Sequence, residues 1–319
     1  MSRTILGIHH ITAIADDPDR NVDFYTRVLG LRLVKITVNF DDPASYHFYY
    51  GDAKGDPGTI LTFFAWPGAR RGRHGNSQVT QTAFAIPRGA GPFWRERLKV
   101  NAVEFSAATE RFDEPVISFT DPDGLALELI ESDRSDPSRA CTGRGIRSDA
   151  AISGFHSATL SETGYERTAR LLGETMGFRS AGSEQNRFRY EIAASGPGGV
   201  VDVVCAPAGI EGRVAAGAVH HIAWRTPEDS QQLEWRKELI DLGYNLSPVM
   251  DRVYFHSIYY REPGGILFEI ATDPPGFTLD EPLNELGSSL KLPPWFERIR
   301  PQIESSLPRL EVLSRQGVQ

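Results

Sequence analysis

Two histidine pairs and one glutamate are the residues of this chain best suited to bind a metal ion. His9 and His10 lie in a short apolar segment near the start, and His220 and His221 lie in a similar segment two thirds of the way along. Glu269 follows a Pro-Gly-Gly turn and is flanked by apolar residues. Two histidines and a carboxylate can bind one face of an octahedral ion and leave the other face open. These residues predict a metal site with open positions.

Each of these residues also has an ordinary structural interpretation. A single buried histidine such as His10 or His221 is more often part of a core than a ligand. The pair of equivalent histidines together with Glu269 favours a metal, because a carboxylate on an apolar strand is costly to bury without a partner. His9 and His220 are less certain ligand neighbours, since successive residues of a strand point to opposite faces. Both members of a pair reach one pocket only if the strand twists or ends there.

Composition and charge limit the class of protein. The chain has 319 residues, enough for two domains, with 40% hydrophobic and 24% charged residues and a net charge of −8. No run of Lys and Arg stands out, so we expect no nucleic-acid partner. No signal peptide is apparent before the first strand-like segment, so none is expected. No apolar run approaches the roughly 20 residues of a membrane span. The two cysteines, Cys141 and Cys205, are too few for a disulfide framework, so a cytoplasmic location is expected.

Internal repetition predicts the fold. Four segments share an order of opening strand, helix and three further strands, with Gly-containing turns before each closing strand. The alignment of closing strands puts Phe63, Glu128 and Val203 at the place of Glu269. Glu128 and His156 thus fall at ligand places of the second and third units, but Gln81 stands where the other histidine would be. A second metal site is therefore not expected, and hydrogen-bonded structure is predicted there instead.

The repeats predict an α+β fold of four βαβββ units. A polar segment at 136–150 is expected to link a first module at 1–135 to a second at 151–273, each with two units, while 274–319 forms a tail that packs on them. The short distance between a metal ion and its ligands leads to a further expectation. Because His10 belongs to unit one and His221 and Glu269 to unit four, those two units must close one cup, and units two and three must close the other.

The chain resembles the vicinal oxygen chelate superfamily, which includes glyoxalase-like lyases, extradiol dioxygenases and bleomycin-binding proteins. It is most similar to ring-cleaving hydroquinone and chlorohydroquinone dioxygenases. In that superfamily pairs of βαβββ units form half-barrels around a metal or ligand. The motifs that carry the resemblance are Ile8-His9-His10-Ile11-Thr12, Phe24-Tyr25-Thr26-Arg27-Val28-Leu29-Gly30, Gly154-Phe155-His156-Ser157, Val219-His220-His221 and Tyr259-Tyr260-Arg261-Glu262-Pro263-Gly264-Gly265.

The resemblance implies specific roles for seven residues of this sequence. The implied metal ligands are His10, His221 and Glu269, and the implied catalytic residues around them are His9, His220, Arg252 and Tyr259. His256 stands where a carboxylate is expected in the chlorohydroquinone branch, which leaves the exact substrate open.

The implied activity is Fe(II)-dependent, extradiol-type cleavage of a hydroquinone or related dihydroxylated aromatic by O₂. His9, His220 and Tyr259 would transfer protons, and Arg252 would hold a substrate oxygen. Two alternatives remain open, together with a homo-oligomeric state. One is a glyoxalase-like isomerase or lyase using Zn, Ni or Mn, disfavoured by Phe63 at the place of a second carboxylate. The other is a ligand-sequestering protein of the bleomycin-resistance type, which usually lacks such a triad.

Overall fold

The computed structural model describes residues 3–140, 142–192 and 196–311 of the chain. Cys141 lies outside the described residues, as does the end of the tail at 312–319. Within these ranges the structure confirms the predicted α+β fold of four βαβββ units. Among the same described residues, no helix has both the length and the apolar composition needed to cross a membrane.

All four units have the same order of elements. Unit one comprises β1 (Ile8–Ala15), α1 (Pro18–Asp23) with a π-helical turn (Phe24–Val28), β2 (Arg32–Asn39), β3 (Asp42–Gly51) and β4 (Ile60–Ala65). Unit two comprises β5 (Gln78–Ile86), α2 (Gly91–Val100), β6 (Thr109–Arg111), β7 (Glu114–Thr120) and β8 (Ala126–Glu131). Unit three comprises β9 (Phe155–Glu162), α3 (Glu166–Arg170) with a π-helical turn (Leu171–Thr175), β10 (Arg179–Glu184), β11 (Arg187–Glu191) and β12 (Val200–Cys205). Unit four comprises β13 (Val219–Thr226), α4 (Asp229–Asp241), β14 (Met250–Asp251), β15 (His256–Arg261) and β16 (Leu267–Thr272).

The units pair across the middle of the chain. One sheet of eight strands has the order β14-β15-β16-β13-β1-β4-β3-β2, and the other has the order β10-β11-β12-β9-β5-β8-β7-β6. Units one and four therefore share the first sheet, and units two and three share the second. This confirms the pairing of units that was expected because His10, His221 and Glu269 must lie close enough to share an ion. The domain division at 136–150 stays a prediction, and each sheet takes one unit from either side of that segment.

Local sequence signals explain where the elements begin and end. The side chain of Asp17 accepts a hydrogen bond from the backbone N–H of Arg20, and Pro18 occupies the first turn of α1. Each unit then buries a helix against the outer face of its sheet. In α4, for example, Trp235 and Leu239 are buried one turn apart. The opposite, concave face of the first sheet carries both polar side chains and aromatic rings.

The segment that follows β16 packs on unit one through a buried ion cluster. Lys35 on β2 is completely buried, and its Nζ lies 2.6 Å from Oδ1 of Asp280 and also bonds Glu281. A buried ammonium group is tolerated when opposite charges and hydrogen bonds surround it. This cluster and the buried ring of Phe277 hold the segment against the sheet that contains the histidine pairs.

A pair of buried carboxylates lies where the two sheets meet. Glu162 ends β9 in the second sheet and is 1% exposed, and Glu262 follows β15 in the first sheet and is 3% exposed. Among the described residues, neither carboxylate oxygen of Glu162 has a hydrogen-bond partner. Burial and the nearby charge of Glu262 raise the pKa of Glu162 to about 8. The folded protein thus favours the protonated form of Glu162.

This raised pKa predicts that the free energy of unfolding depends on pH between the acidic and the neutral range. The unfolded chain releases the Glu162 proton near the ordinary pKa of about 4.3, whereas the folded chain keeps it until about pH 8. The free energy of unfolding should therefore fall as pH rises from about 5 to about 8. We expect Glu162→Gln to remove most of this decline when urea unfolding is followed across that range. An unchanged pH profile in the variant would contradict the assignment.

Candidate metal centre

The two histidine pairs lie on adjacent antiparallel strands at matching irregularities. His9 is an extra residue of β1 between two residues that pair with consecutive residues of β13, and His220 is the corresponding extra residue of β13. Each is a β-bulge, which interrupts strict alternation and re-aims a side chain. The bulges bring neighbouring imidazoles into contact, so the strand is locally irregular where the sequence analysis required it to twist or end.

His10, His221 and Glu269 converge on one point of the concave face. Nε2 of His221 lies 2.9 Å from Oε2 of Glu269, and Nε2 of His10 lies 3.3 Å from the same oxygen. The two Nε2 atoms are 3.3 Å apart. Among the described residues, these three form the one group of histidine, cysteine or acidic side chains placed to share an ion. The three predicted ligands are therefore brought together.

The donor set fits a cation. Glu269 is completely buried, its Oε1 accepts a hydrogen bond from Ser257, and its Oε2 has no hydrogen-bond donor among the described residues. Burial lowers the pKa of His221, which favours the neutral imidazole that a metal requires. Burial opposes ionisation of Glu269, but His10 and His221 outweigh it and hold the pKa of Glu269 well below its ordinary value. Two imidazole nitrogens and one carboxylate oxygen thus lie within 3.3 Å of one another, as atoms that share one ion would.

The first histidine of each pair contacts the second through matching ring atoms. Nδ1 of His9 lies 2.9 Å from Nδ1 of His10, and Nδ1 of His220 lies 2.8 Å from Nδ1 of His221. If His10 and His221 present Nε2 to an ion, each donates its Nδ1 proton to its neighbour. Such an outer hydrogen bond fixes the tautomer and the ring orientation of a metal ligand.

A cavity of about 280 Å³ opens beside this cluster on the concave face. Tyr259, Arg252 and His220 line it, as do His10 and His221. It has the further lining residues Thr12, Asn39, Phe40, Asp41, His47, Tyr49, Phe64, Trp66, Phe255 and Leu267. Its volume is near the lower end of the roughly 300–1,000 Å³ of small-molecule sites, and its wall is mainly aromatic. The cavity suits a single small ring.

Tyr259 and Arg252 form one wall of the cavity. Nε of Arg252 donates to the Tyr259 hydroxyl at 3.1 Å, and the second guanidinium nitrogen bonds Asp41 at 3.2 Å. The ring of Tyr259 meets that of His221 edge-on, with centroids 5.7 Å apart. Both residues thus lie beside the histidine cluster, as the sequence analysis expected.

His9 has a different place from the other predicted catalytic residues. It lines a separate depression of about 560 Å³ and, among the described residues, is not part of the wall of the 280 Å³ cavity. Phe255 lies between the two spaces and contacts the rings of both His9 and His10 at centroid distances of 5.0 Å. His256 bonds Asp229 at 2.7 Å and also lies outside the cavity wall.

The strand register corrects the alignment of the closing strands by one residue. Ala223 on β13 lies opposite Glu269. Thr12 is the residue of β1 that corresponds to Ala223, and it lies opposite Thr62, so Thr62 and not Phe63 corresponds to Glu269. In unit three the residue that corresponds to Glu269 is Asp202, not Val203. A one-residue shift moves a side chain to the other face of the sheet. Phe63 and Val203 accordingly belong to the hydrophobic core, while Thr62 and Asp202 face the concave side.

The corresponding place on the second sheet is filled by ion pairs. There Gln81 and Ser157 stand at the positions of His10 and His221, and His156 is the bulged residue that corresponds to His220. Arg111 donates to both oxygens of Glu128, at 2.7 and 2.8 Å. Arg189 bonds both oxygens of Asp202 at 2.8 and 3.1 Å, and Arg187 links Asp202 to Gln81. The predicted hydrogen-bonded structure is found, with guanidinium groups supplying the positive charge.

The sequence patterns did not identify His47 and Tyr49, two polar residues that line the cavity. They lie on β3, and the hydroxyl of Tyr49 is 3.0 Å from Nδ1 of His47. Their spacing of two residues placed them on one face of a strand, which was the available signal. Which neighbours that face would meet depends on strand order, and the sequence pattern did not contain it.

Comparison with known proteins agrees with this architecture. Residues 7–129 match the model of the Glyoxalase/Bleomycin resistance protein/Dioxygenase superfamily. The chain is 47% identical over 312 residues, covering 98% of this chain and 99% of the other, to a Bacillus subtilis protein provisionally named ring-cleaving dioxygenase MhqO. This chain belongs to the glyoxalase/bleomycin resistance protein/dioxygenase superfamily. The predicted resemblance to that superfamily is confirmed.

Two further similar proteins have names that mention an activity. The chain is 33% identical to the chlorohydroquinone/hydroquinone 1,2-dioxygenase of Sphingobium indicum over 303 residues, which cover 93% of this chain and 94% of the other. A crystal structure of a provisionally named dioxygenase from Bacillus subtilis superposes with a TM-score of 0.94 at 47% identity, covering 98% of this chain and 99% of that one. Each of these three relatives is named as a dioxygenase.

Proposed function

We propose that this superfamily member is an Fe(II)-dependent, extradiol-type dioxygenase that opens the ring of a hydroquinone or a related dihydroxylated aromatic. The observation that carries the proposal is the convergence of His10, His221 and Glu269 beside a small aromatic-lined cavity. A hydroquinone has no two neighbouring hydroxyl-bearing carbons, so its ring must open beside a single hydroxylated carbon. The name of the Sphingobium indicum relative supports this substrate class, and that of the Bacillus subtilis relative supports ring cleavage.

We assign the metal to His10, His221 and Glu269. Two histidines and one carboxylate with open positions are typical of non-haem Fe(II), and Mn, Zn and Ni also accept these ligands. When bound, Fe(II) supplies the redox chemistry that lets triplet O₂ react with a closed-shell ring. The remaining work, which is to bind the ring, hold its oxygen and move protons, falls to the side chains around the cavity.

His220 is placed to transfer a proton to or from the substrate. Its Nδ1 is engaged by Nδ1 of His221, so a proton on the ligand nitrogen leaves His220 with its own proton on Nε2. His220 lines the cavity, which puts it within reach of an oxygen of a bound ring. His9 makes the equivalent contact to His10 outside that cavity, so we now propose orientation of His10 as its role instead of proton transfer.

Tyr259 and Arg252 are proposed to hold the reacting oxygen. The guanidinium donates to the Tyr259 hydroxyl, so the phenolic proton of Tyr259 is free to point elsewhere, toward an oxygen in the cavity. The charge of Arg252 also favours an anionic substrate oxygen near it. Asp41 fixes the other end of the guanidinium, which keeps this pair on the cavity wall.

The two outer histidines form a matched pair for mutation. His9→Ala and His220→Ala should each weaken metal binding about 10–100-fold, because each removes the hydrogen bond that orients one ligand. In fully metal-loaded protein, only the second of these variants, His220→Ala, should slow turnover, by about 10²–10⁴-fold, because of the two histidines it is His220 that lines the cavity. Metal titration and oxygen uptake at saturating metal separate the two effects. Complete metal loss in His220→Ala would mean that the first histidine of that pair is the true ligand.

Oxygen uptake with different metals tests the proposed function. Protein stripped of metal and loaded with Fe(II), Mn(II) or Zn(II) would be given hydroquinone, catechol or phenol in an oxygen electrode. We expect the iron form to consume one O₂ per hydroquinone and to lose activity in air as the ion is oxidised. Full turnover of a substrate by the zinc form without O₂ uptake would instead establish the isomerase alternative. Tight ligand binding without turnover by any metal form would establish the sequestering alternative.

A further inference from the structure

A second polar group lies on the cavity wall formed by β3. His47 and Tyr49 both line the cavity, and their side chains share one face of the strand. The Tyr49 hydroxyl is 3.0 Å from Nδ1 of His47, and the two ring centroids are 4.1 Å apart. The proposed mechanism at the metal centre uses neither residue, so their hydrogen bond calls for a separate explanation.

The orientation of His47 is fixed from both sides. Its Nε2 lies 2.8 Å from Oγ1 of Thr62, and that hydroxyl lies 2.9 Å from Oγ1 of Thr12. The ring of Phe64 packs on His47 with centroids 4.4 Å apart. Burial lowers the pKa of His47 well below its ordinary value, so the ring is neutral and has one donor and one acceptor nitrogen. With both nitrogens engaged, His47 holds the Tyr49 hydroxyl in one direction.

Tyr49 keeps an unused hydrogen-bonding position. A phenol can both donate and accept, yet among the described residues His47 is the one hydrogen-bond partner of the Tyr49 hydroxyl. The ring is 2% exposed and packs on Phe277 at 5.0 Å and on Tyr254 at 6.3 Å between centroids. A buried hydroxyl that lacks a second partner and borders a cavity is suited to bind a polar group of a ligand there.

Strand order places Tyr49 across the cavity from Tyr259. Tyr259 on β15 is directly opposite Glu269 on β16. On the other side of the histidine strands, Thr62 on β4 is directly opposite both Thr12 on β1 and Tyr49 on β3. The order β15-β16-β13-β1-β4-β3 therefore puts the metal centre between the two tyrosines. Adjacent strands are about 4.8 Å apart, so β3 lies roughly 10 Å from β1 along the sheet.

We propose that Tyr49, oriented by His47, binds the second hydroxyl of the substrate, the one at the para position. This selects 1,4-dihydroxylated rings over rings with a single hydroxyl. The inference rests on the proposed function, because it takes the first hydroxyl oxygen to lie at the metal centre beside Tyr259. A para hydroxyl projects from the opposite end of the ring, toward the wall that carries Tyr49, whereas an ortho hydroxyl stays near the first.

Binding of two ligands that differ by one hydroxyl tests this role. Dissociation constants of hydroquinone and phenol would be measured by titration calorimetry, without O₂, on iron-loaded wild type and Tyr49→Phe. We expect the variant to bind hydroquinone about 10–100-fold more weakly and phenol as tightly as the wild type does. The matched control is Tyr50→Phe, because Tyr50 is the next residue of β3 and donates its hydroxyl to Asn21 at 2.8 Å, away from the cavity. The control should keep both affinities.

His47→Leu tests the positioning part of the proposal. It keeps the Tyr49 phenol but removes its partner, so it should lower the ratio of hydroquinone to phenol affinity while leaving phenol binding unchanged. An unchanged ratio would overturn the role of His47. Phenol affinity shows in each variant that the site is still folded.

Equal losses for hydroquinone and phenol in Tyr49→Phe, or no loss for either, would overturn the inference while leaving the proposed function in place. If iron-loaded wild type consumed no O₂ with any dihydroxylated ring, the proposed function would be refuted instead. The calorimetric and oxygen measurements are separate, so the two failures are distinguishable.

Discussion

Replacing His221 with alanine should leave the protein with little bound iron and without measurable ring cleavage. The change removes one of three proposed ligands and leaves the buried carboxylate of Glu269 with one imidazole neighbour. The loss of metal affinity should exceed the roughly 10–100-fold that follows removal of an outer hydrogen-bond partner. Iron content after anaerobic reconstitution with one equivalent of Fe(II), followed by oxygen uptake, measures the effect.

The second sheet provides the control for this prediction. Ser157 occupies the position of His221 there, beside the bulged His156, so Ser157→Ala should leave iron content and oxygen uptake unchanged. Glu269→Gln keeps the size of the side chain but removes its charge, and it should lose iron as His221→Ala does. Wild-type iron content in His221→Ala would exclude His221 as a ligand.

Replacing Arg111 with methionine should lower the free energy of unfolding by about 3–5 kcal/mol. Arg111 donates to both oxygens of Glu128, which is 1% exposed, so the substitution leaves a buried carboxylate without its bidentate partner. The remaining side-chain donor to Glu128 is Ser118 at 3.3 Å, a neutral group. Urea unfolding followed by circular dichroism measures the loss.

A double variant shows whether the lost stability comes from the unpaired charge. Arg111→Met combined with Glu128→Leu removes both charges and should regain most of the stability, since a buried ion pair can often be replaced by apolar residues. Because both residues belong to the second sheet, neither variant should alter iron binding by the folded protein. A single variant as stable as the wild type would show that Glu128 does not depend on Arg111.

The sequence predicted the repeat, the unit pairing and the three convergent residues. Each of these depends on a local pattern or on the short distance that a metal ion allows between its ligands. Short apolar runs marked the opening strands, and Asp17, Pro18 and Gly30 marked the first helix. His10, His221 and Glu269 could share an ion only if units one and four formed one sheet, as they do. These inferences did not require knowledge of the exact strand register.

The details that the sequence could not supply are those that depend on register. The turn before each closing strand contains a glycine with positive φ, Gly58 four residues before Thr62 and Gly265 four residues before Glu269. The sequence does not mark which of the adjacent Gly264 and Gly265 has that conformation, so the alignment put Phe63 in place of Thr62. The distinct places of His9 and His220 likewise follow from which side of the strand faces the cavity. The contact of Lys35 with Glu281 joins residues far apart in the chain, which composition and periodicity cannot connect.

The fate of oxygen atoms tests the central claim most directly. Iron-loaded protein would turn over hydroquinone under ¹⁸O₂, and the product would be analysed by mass spectrometry. A ring-cleaving dioxygenase inserts both atoms of one O₂ molecule, so we predict a ring-opened product with one ¹⁸O in the new carboxylate and one in the new aldehyde, with no external reductant consumed during turnover. The reaction would be quenched with borohydride at early times, because an aldehyde oxygen exchanges with water. A product with one labelled oxygen or none, or an intact quinone formed with release of hydrogen peroxide, would contradict the proposed function.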